Sequence, residues 1–237
     1  MTNLELNQTP IRTAKNYGIN NIKLENINIP ENISKFNGLE ISNSKVVIKE
    51  DDFENSFKYG NGDILAKQIK EKSNKSLNIE INENLTEELF FDFTFSKDNM
   101  NLIENIFIRA SENVKGTIIF RFKSIEDLEY YHNGQIKIVA EKNSKINIVI
   151  CNLMNNKTNY FLAIENIIKE NAKIKYVTAE FGGKNTIINY YTCLQEKCAN
   201  NEINTIYLGG ENQIIDLNYI VEAYGEKTNI DMDLKGA

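Results

Sequence analysis

The chain has no tryptophan, one histidine, two prolines and three cysteines among its 237 residues. Each scarcity removes a possibility. With one histidine, any Ser-His-Asp or Cys-His catalytic set would have to use His132. Two prolines and twelve glycines leave little material for long flexible linkers. Three cysteines (Cys151, Cys193, Cys198) behind an N-terminus without an apolar signal core, MTNLELNQTPIRTAKNYG, predict reduced thiols in a cytoplasm rather than a disulfide framework. No apolar run approaches the roughly 18 residues of a membrane-spanning helix. Positive charge is not in excess either: 27 Lys and Arg stand against 33 Asp and Glu, a net charge of -6. Nucleic-acid binding therefore has no electrostatic footprint.

What the sequence does contain is a repeat. The segment starting at Ile146 (INIVI) recurs at Ile174 (IKYVT), Ile203 (INTIY) and Ile230 (IDMDL), and earlier at Ile118 (IIFRF), with spacings of 28, 28, 29 and 27 residues. A second segment starts at Asn133 (NGQIKIVA), Asn159, Asn185 and Asn212, with spacings of 26, 26 and 27. Both alternate with period two. Ile136, Leu162, Ile188 and Ile215 form an inward column, and Lys137, Ala163, Asn189 and Asp216 a wet one. Two strands per repeat of about 27 residues predict a β-solenoid whose coils bury their apolar faces on one another. The corners are polar: EKNSK (141–145), KENAK (169–173), KCANNE (197–202), GGEN (209–212) and GEKTN (225–229). GGEN is read as such a corner rather than a ligand loop, with both glycines explained by turn chemistry.

The first half is less regular. Thr9-Pro10 predicts a helix ending near Gly18, and Asp63 a cap for a helix over Ile64–Lys72. LNIEIN (77–82), LFFDFTFS (89–96) and IENIFIRA (103–110) alternate as strands. The expected fold is mainly β, with a small α/β cap over residues 1–75 and a parallel β-helix over 76–237.

Candidate sites are few. His132, just before Asn133-Gly134, is expected to be a solvated turn residue. FGGKNT (181–186) lacks the Walker spacing, and DMDLKG (231–236) does not complete a calcium loop. Cys193 and Cys198 flank one corner at a spacing that suits thiolate ligation of a soft metal or an iron–sulfur cluster, and parity points Cys193 outward. Unpaired structural cysteines remain the alternative. Asp216, Asp231 and Asp233 are the carboxylates that polysaccharide chemistry on a solenoid would use.

The stretch YLGGENQIIDLNYIVEAYGEKTNIDMDLKGA, with Leu208, Gly210, Glu211, Leu217 and Asp231, resembles the SufB/SufD family of iron–sulfur assembly scaffolds. AIENIIKENAKIKYVTAEFGGKNT and KYGNGDILAKQIKEKSNKSLNIEIN extend the resemblance over most of the chain. It implies a right-handed parallel β-helix and a scaffold that is not itself an enzyme. It further implies pairing with another SufB/SufD-type chain, action with a SufC-type ATPase, and an iron–sulfur cluster held transiently at a shared interface. The sequence ends at Ala237 without the family's C-terminal helical segment, and it lacks the N-terminal Cys-x-x-Cys-x-x-x-Cys motif of many SufB proteins. It therefore reads as a SufD-like or minimal SufB-like member, truncated or split. Cys193 and Cys198 are metal-site candidates on chemistry alone, because no family ligand position falls on them. The rival readings are a β-helix enzyme acting on polysaccharide and a structural or interaction solenoid without metal chemistry.

Overall fold

The computed structural model describes residues 1–7, 22–42, 46–50 and 56–237. The helix expected from Thr9-Pro10 lies outside them. From Lys75 onward the chain winds as alternating strands: β5 (Lys75–Ile81), β6 (Leu89–Phe95), β7 (Asn101–Ala110), β8 (Lys115–Ser124), β9 (Tyr131–Ala140) and β10 (Lys145–Leu153). β11 (Asn159–Ile168), β12 (Lys173–Glu180), β13 (Asn185–Leu194), β14 (Asn200–Tyr207), β15 (Ile214–Ala223) and β16 (Asn229–Gly236) follow. Odd-numbered strands stack into one sheet and even-numbered strands into the other, all parallel. The result is a parallel β-solenoid of about 6 turns. Two short strands, β3 (Leu39–Ser42) and β4 (Val47–Lys49), close its first coil by pairing antiparallel with β6 and β5.

Alternation places one apolar set inside. Aromatic rings stack coil upon coil: Phe91 on Phe120 at 5.0 Å, Phe93 on Phe122 at 4.9 Å, and Tyr190 on Tyr219 at 4.8 Å between centroids. The repeat read from the sequence has the correct face but not always the correct register. Ile146 stacks on Ile174 and Leu162 on Ile188 as expected. Elsewhere the pairing is offset by two residues: Ile118 meets Ile148, Ile203 meets Tyr176, Ile136 meets Ile164, and Leu217 meets Ile188. A two-residue slip keeps every side chain on its face, so alternation cannot detect it.

The outer face of the odd sheet is not wet, as the Lys137–Ala163–Asn189–Asp216 column suggested. The N-terminal hairpin of β1 (Thr2–Leu6) and β2 (Ile22–Ile27) and the helix α1 (Asp63–Lys72) lie over it. Leu4, Leu6, Leu24, Leu65 and Ile69 pack there against Ile103, Tyr131, Phe161 and Ile187, forming a second core outside the solenoid. Ala163 and Asn189 are consequently buried. The cap of α1 is Gly62, with φ 106°, rather than Asp63. Asp63 instead sits in the first turn, where its charge complements the helix dipole.

One corner column sets the turn chemistry. Asn113, Asn143 and Asn171 occupy equivalent slots with φ of 65°, 60° and 54°, in the left-handed region that asparagine tolerates. Their amides form a ladder, Asn143 Nδ2 donating to Asn113 Oδ1 at 3.0 Å and Asn171 Nδ2 to Asn143 Oδ1 at 2.8 Å. In the next two coils the slot holds Cys198 (φ 58°) and Lys227 (φ 55°). GGEN is indeed the corner between β14 and β15. Its left-handed residue, however, is Asn212 (φ 67°), and neither glycine has a positive φ. Replacing Cys198 with Asn should therefore relieve backbone strain and extend the ladder, raising unfolding stability by about 1 kcal/mol in urea titration. A neutral or destabilising result would show that the thiol side chain contributes more to this corner than the amide would.

Candidate functional site

The three thiols lie in three different places. Cys193 projects from the outer face of the odd sheet, half-buried. It stacks between Ile167 and Glu222. Cys198 is exposed at the corner, its N–H donating to the Glu226 carbonyl at 2.8 Å. Cys151 is on the opposite sheet, stacked between Arg121 and Ala179. Burial raises the pKa of the Cys193 thiol, and burial likewise raises that of Cys151. Both are thus held further toward the protonated, less nucleophilic form. Among the described residues no group of three or more His, Cys, Asp or Glu side chains is arranged to hold a metal ion. The carboxylates considered for polysaccharide chemistry do not converge: Asp216 is bonded by Asn7 on the odd sheet, whereas Asp231 and Asp233 project from β16 on the even one.

Cys193 nevertheless borders an ordered polar cluster. Glu222, its neighbour in the next coil, accepts hydrogen bonds from Lys58 Nζ at 2.5 Å, Tyr224 OH at 2.7 Å and Tyr191 OH at 2.8 Å. The Lys58 bond, ahead of the two phenols, holds its carboxyl down at about 2. Lys58 belongs to a segment crossing the coils. Its N–H donates to Glu165 Oε2 at 2.6 Å, Lys137 Nζ donates to the Ser56 carbonyl at 2.7 Å, and Tyr59 meets the Tyr191 ring edge-on at 5.0 Å. The segment thereby ties four successive coils together, and Cys193 lies at its end. Between this segment, α1 and the sheet is a cleft of about 1160 Å³, lined by Asn105, Gln135, Ala163 and Asn189.

The sequence reading missed a second feature, a polar seam inside the solenoid. His132 is not a solvated turn residue. It is wholly buried in β9, its Nε2 3.2 Å from Glu104 Oε1 and its ring stacked on Tyr160 at 4.5 Å. Gly134, beside it, leaves the room: a Cβ there would lie 2.6 Å from Glu104 Oε1. Further along the seam Glu180 is wholly buried beside Asn152, and among the described residues neither of its oxygens has a hydrogen-bond partner. Glu104 Oε2, His132 Nδ1, Tyr160 OH and Tyr190 OH are likewise unpartnered. Burial pushes the Glu180 carboxyl up to about 8, against a smaller opposing effect of the Asn152 amide. At neutral pH it is mostly a neutral acid, able to donate a proton in a dry interior. The signal was present in the sequence. Glu104, His132, Asn152 and Glu180 all fall on inward positions of their strands, where parity from the neighbouring isoleucines would have placed them.

This seam sets a pH dependence with a definite sign. Glu180 has a folded-state pKa above its ordinary value of 4.5, so folding is favoured most where the acid is protonated in both states. That contribution is lost as pH rises from about 4.5 through about 8. Thermal or urea unfolding should show stability declining across this window by a few kcal/mol at most. Glu180→Gln should flatten most of the decline, leaving a smaller part from Asp216, which burial also raises. An unchanged slope in the variant would place the titrating group elsewhere.

No helix among the described residues is long and apolar enough to cross a membrane. Comparison with the curated proteins finds no match. A family model described as the SufBD core domain of SUF-system FeS cluster assembly matches residues 93–237, from the strand β6 to the end of the chain. That match covers most of the solenoid and well over half of the sequence, so the chain belongs to the SufB/SufD family of SUF-system iron–sulfur cluster assembly proteins.

Proposed function

We propose that the chain is a non-catalytic scaffold of the cytoplasmic SUF machinery, pairing with a SufB/SufD-type chain and working with a SufC-type ATPase. The observation that carries this reading is the coincidence of the family match with the stacked coils. A solenoid packed with isoleucine and aromatic side chains offers surfaces and edges to partners. Among the described residues the coil of β15 and β16 presents both. β15 and β16 pair there with β13 and β14. Ile214, Ile230, Met232 and Leu234 are exposed there. Unpaired N–H and C=O groups beside exposed apolar side chains favour a further coil or the coil of another chain. Cys193 and Cys198 stand in the coil just before that edge, on β13 and at the β13–β14 corner. Iron or sulfide handled as cargo at these thiols would need its remaining ligands from a partner, giving a transient cluster at a shared interface.

The test is anaerobic co-expression with the SufC-type ATPase and the SufB/SufD-type proteins of the host. The complex is purified through this chain, and its composition, iron and acid-labile sulfide are measured. Recovery with a SufB/SufD-type partner is the expected outcome. Cys193→Ser and Cys198→Ser should lower the iron and sulfide without dissolving the complex. Absence of every SUF component from the purified chain would overturn the pairing. Undiminished iron and sulfide in the double variant would remove the thiols from the reading.

A further inference from the structure

The outer column of the odd sheet beneath the cleft is a carboxamide ladder with one rung missing. Ser76, Asn105, Gln135, Ala163, Asn189 and Asn218 stand in register on the successive odd strands from β5 to β15. On one side of Ala163, Gln135 Nε2 donates to Asn105 Oδ1 at 2.9 Å. On the other, Asn218 Nδ2 donates to Asn189 Oδ1 at 3.0 Å, while Asn189 Nδ2 donates to the Gly60 carbonyl at 2.9 Å. Ala163 itself offers only a methyl group. Gln135 and Asn189 therefore flank it two strand spacings apart, about 9.6 Å. The cleft of about 1160 Å³ lies over this gap. Two further carboxamides line it with open valences. Asn61 is 3% exposed, and neither of its amide atoms has a hydrogen-bond partner among the described residues. Asn133 is wholly buried; its Nδ2 donates to the Leu65 carbonyl and to Gln68, but its Oδ1 is unpartnered.

Buried amide groups left unpaired are costly, and a concave site gathering several of them is suited to a ligand that pairs them. The chemistry of the lining narrows the ligand. Its charges cancel: Lys58, Lys67 and Lys70 stand against Glu5, Asp63 and Glu71. Lys58 is engaged by Glu222, Lys67 by Glu71 at 3.9 Å, and Glu5 by Lys23 at 3.3 Å. Such a lining has no excess of positive charge to hold a phosphate. A carboxamide donates and accepts side by side, which matches the edge of a nucleobase, and Asn and Gln read bases in this way. Leu6, Ile69 and the Tyr59 ring line the same cleft and suit the flat apolar faces of a heterocycle. We propose that the cleft binds an uncharged nucleoside whose base sits over Ala163 as the missing rung between Gln135 and Asn189. Asn61 and Asn133 supply further hydrogen bonds to it. The cleft is roofed by residues 56–62, the segment whose contacts tie the coils together, so an occupied cleft fastens that segment more firmly to the sheet. This site is separate from the SUF partner contacts, because it lies under the covering of the odd sheet and not at the edge of β15 and β16.

Calorimetric titration of the full chain with adenosine, guanosine, cytidine and uridine decides it. Their 5′-monophosphates, free ribose and maltose are titrated in parallel. At least one nucleoside should bind, with a dissociation constant between about 10 µM and 1 mM. Its monophosphate should bind no more tightly, and the two sugars should not bind. Hydrogen exchange in residues 56–62 should slow when that nucleoside is present. Ala163→Asn supplies the rung from the protein itself. It should weaken nucleoside binding at least tenfold while leaving the melting temperature unchanged or higher, so lost binding cannot be put down to lost folding. Asn61→Ala should weaken binding severalfold. The proposal is overturned if no nucleoside of the panel binds, or if Ala163→Asn binds as well as the parent chain. Tighter binding of the monophosphate would overturn the uncharged assignment, and binding of ribose or maltose as tightly as the nucleoside would overturn recognition of the base.

Discussion

Everything in this molecule depends on parallel, in-register stacking of one coil upon the next. A strand of the solenoid satisfies its backbone only through the coils before and after it, since each sheet is built from strands about thirty residues apart in sequence. Stacking also fixes the side-chain chemistry, because whatever occupies a column must tolerate its own kind one strand spacing away. Phenylalanine and tyrosine do so by ring stacking inside, and asparagine does so by an amide ladder at the corner. Lysine does so poorly. The Lys115–Lys145 column is thus the place where the stacking rule and local electrostatics pull apart.

The same rule explains what the sequence disclosed and what it concealed. Alternation and repeat length were legible in Ile146, Ile174, Leu162 and Ile188, and they were enough for the sheet faces and the solenoid. Register was not. A two-residue offset, as between Ile118 and Ile148, changes corner length without changing any side chain's face. The burial of Ala163 and Asn189 was also hidden, because it is imposed by residues about 90 or more positions away in the hairpin and α1, a long-range contact that no local pattern records. His132 is the instructive case. Its neighbours Asn133 and Gly134 are ordinary turn formers, and they outweighed the parity of the strand. In the folded chain Gly134 is needed for another reason, the space that the Glu104 carboxyl occupies.

The candidate site was legible only as residue types. Cys193 and Cys198 were visible as thiols at a suggestive spacing, and parity correctly put Cys193 outside. Its surroundings could not be read from the spacing, because Glu222 arrives from another coil and Lys58 from the crossing N-terminal segment, and only Tyr191 shares its strand. The left-handed slot of Cys198 follows from coil equivalence with Asn113, Asn143 and Asn171. It becomes apparent only once the corners are superposed in the correct register.

The two sheets end up with different tasks because only one of them is covered. A β-sheet face left open must be polar, or small, or occupied. The odd sheet solves this with the hairpin, α1 and the Ser56–Gly60 segment, whose contacts with Lys137, Glu165, Asn189 and Glu222 fasten the coils to one another. The even sheet has no such covering among the described residues, yet its outer columns are not uniformly polar. Arg121 and Lys123 share Asp92 at one margin, at 2.5 and 2.9 Å, so part of the charge there is already balanced. Val177 on β12 and Ile206 on β14 stay exposed on that face. A solenoid stiffened on one face and left bare on the other presents its bare face as a preformed surface.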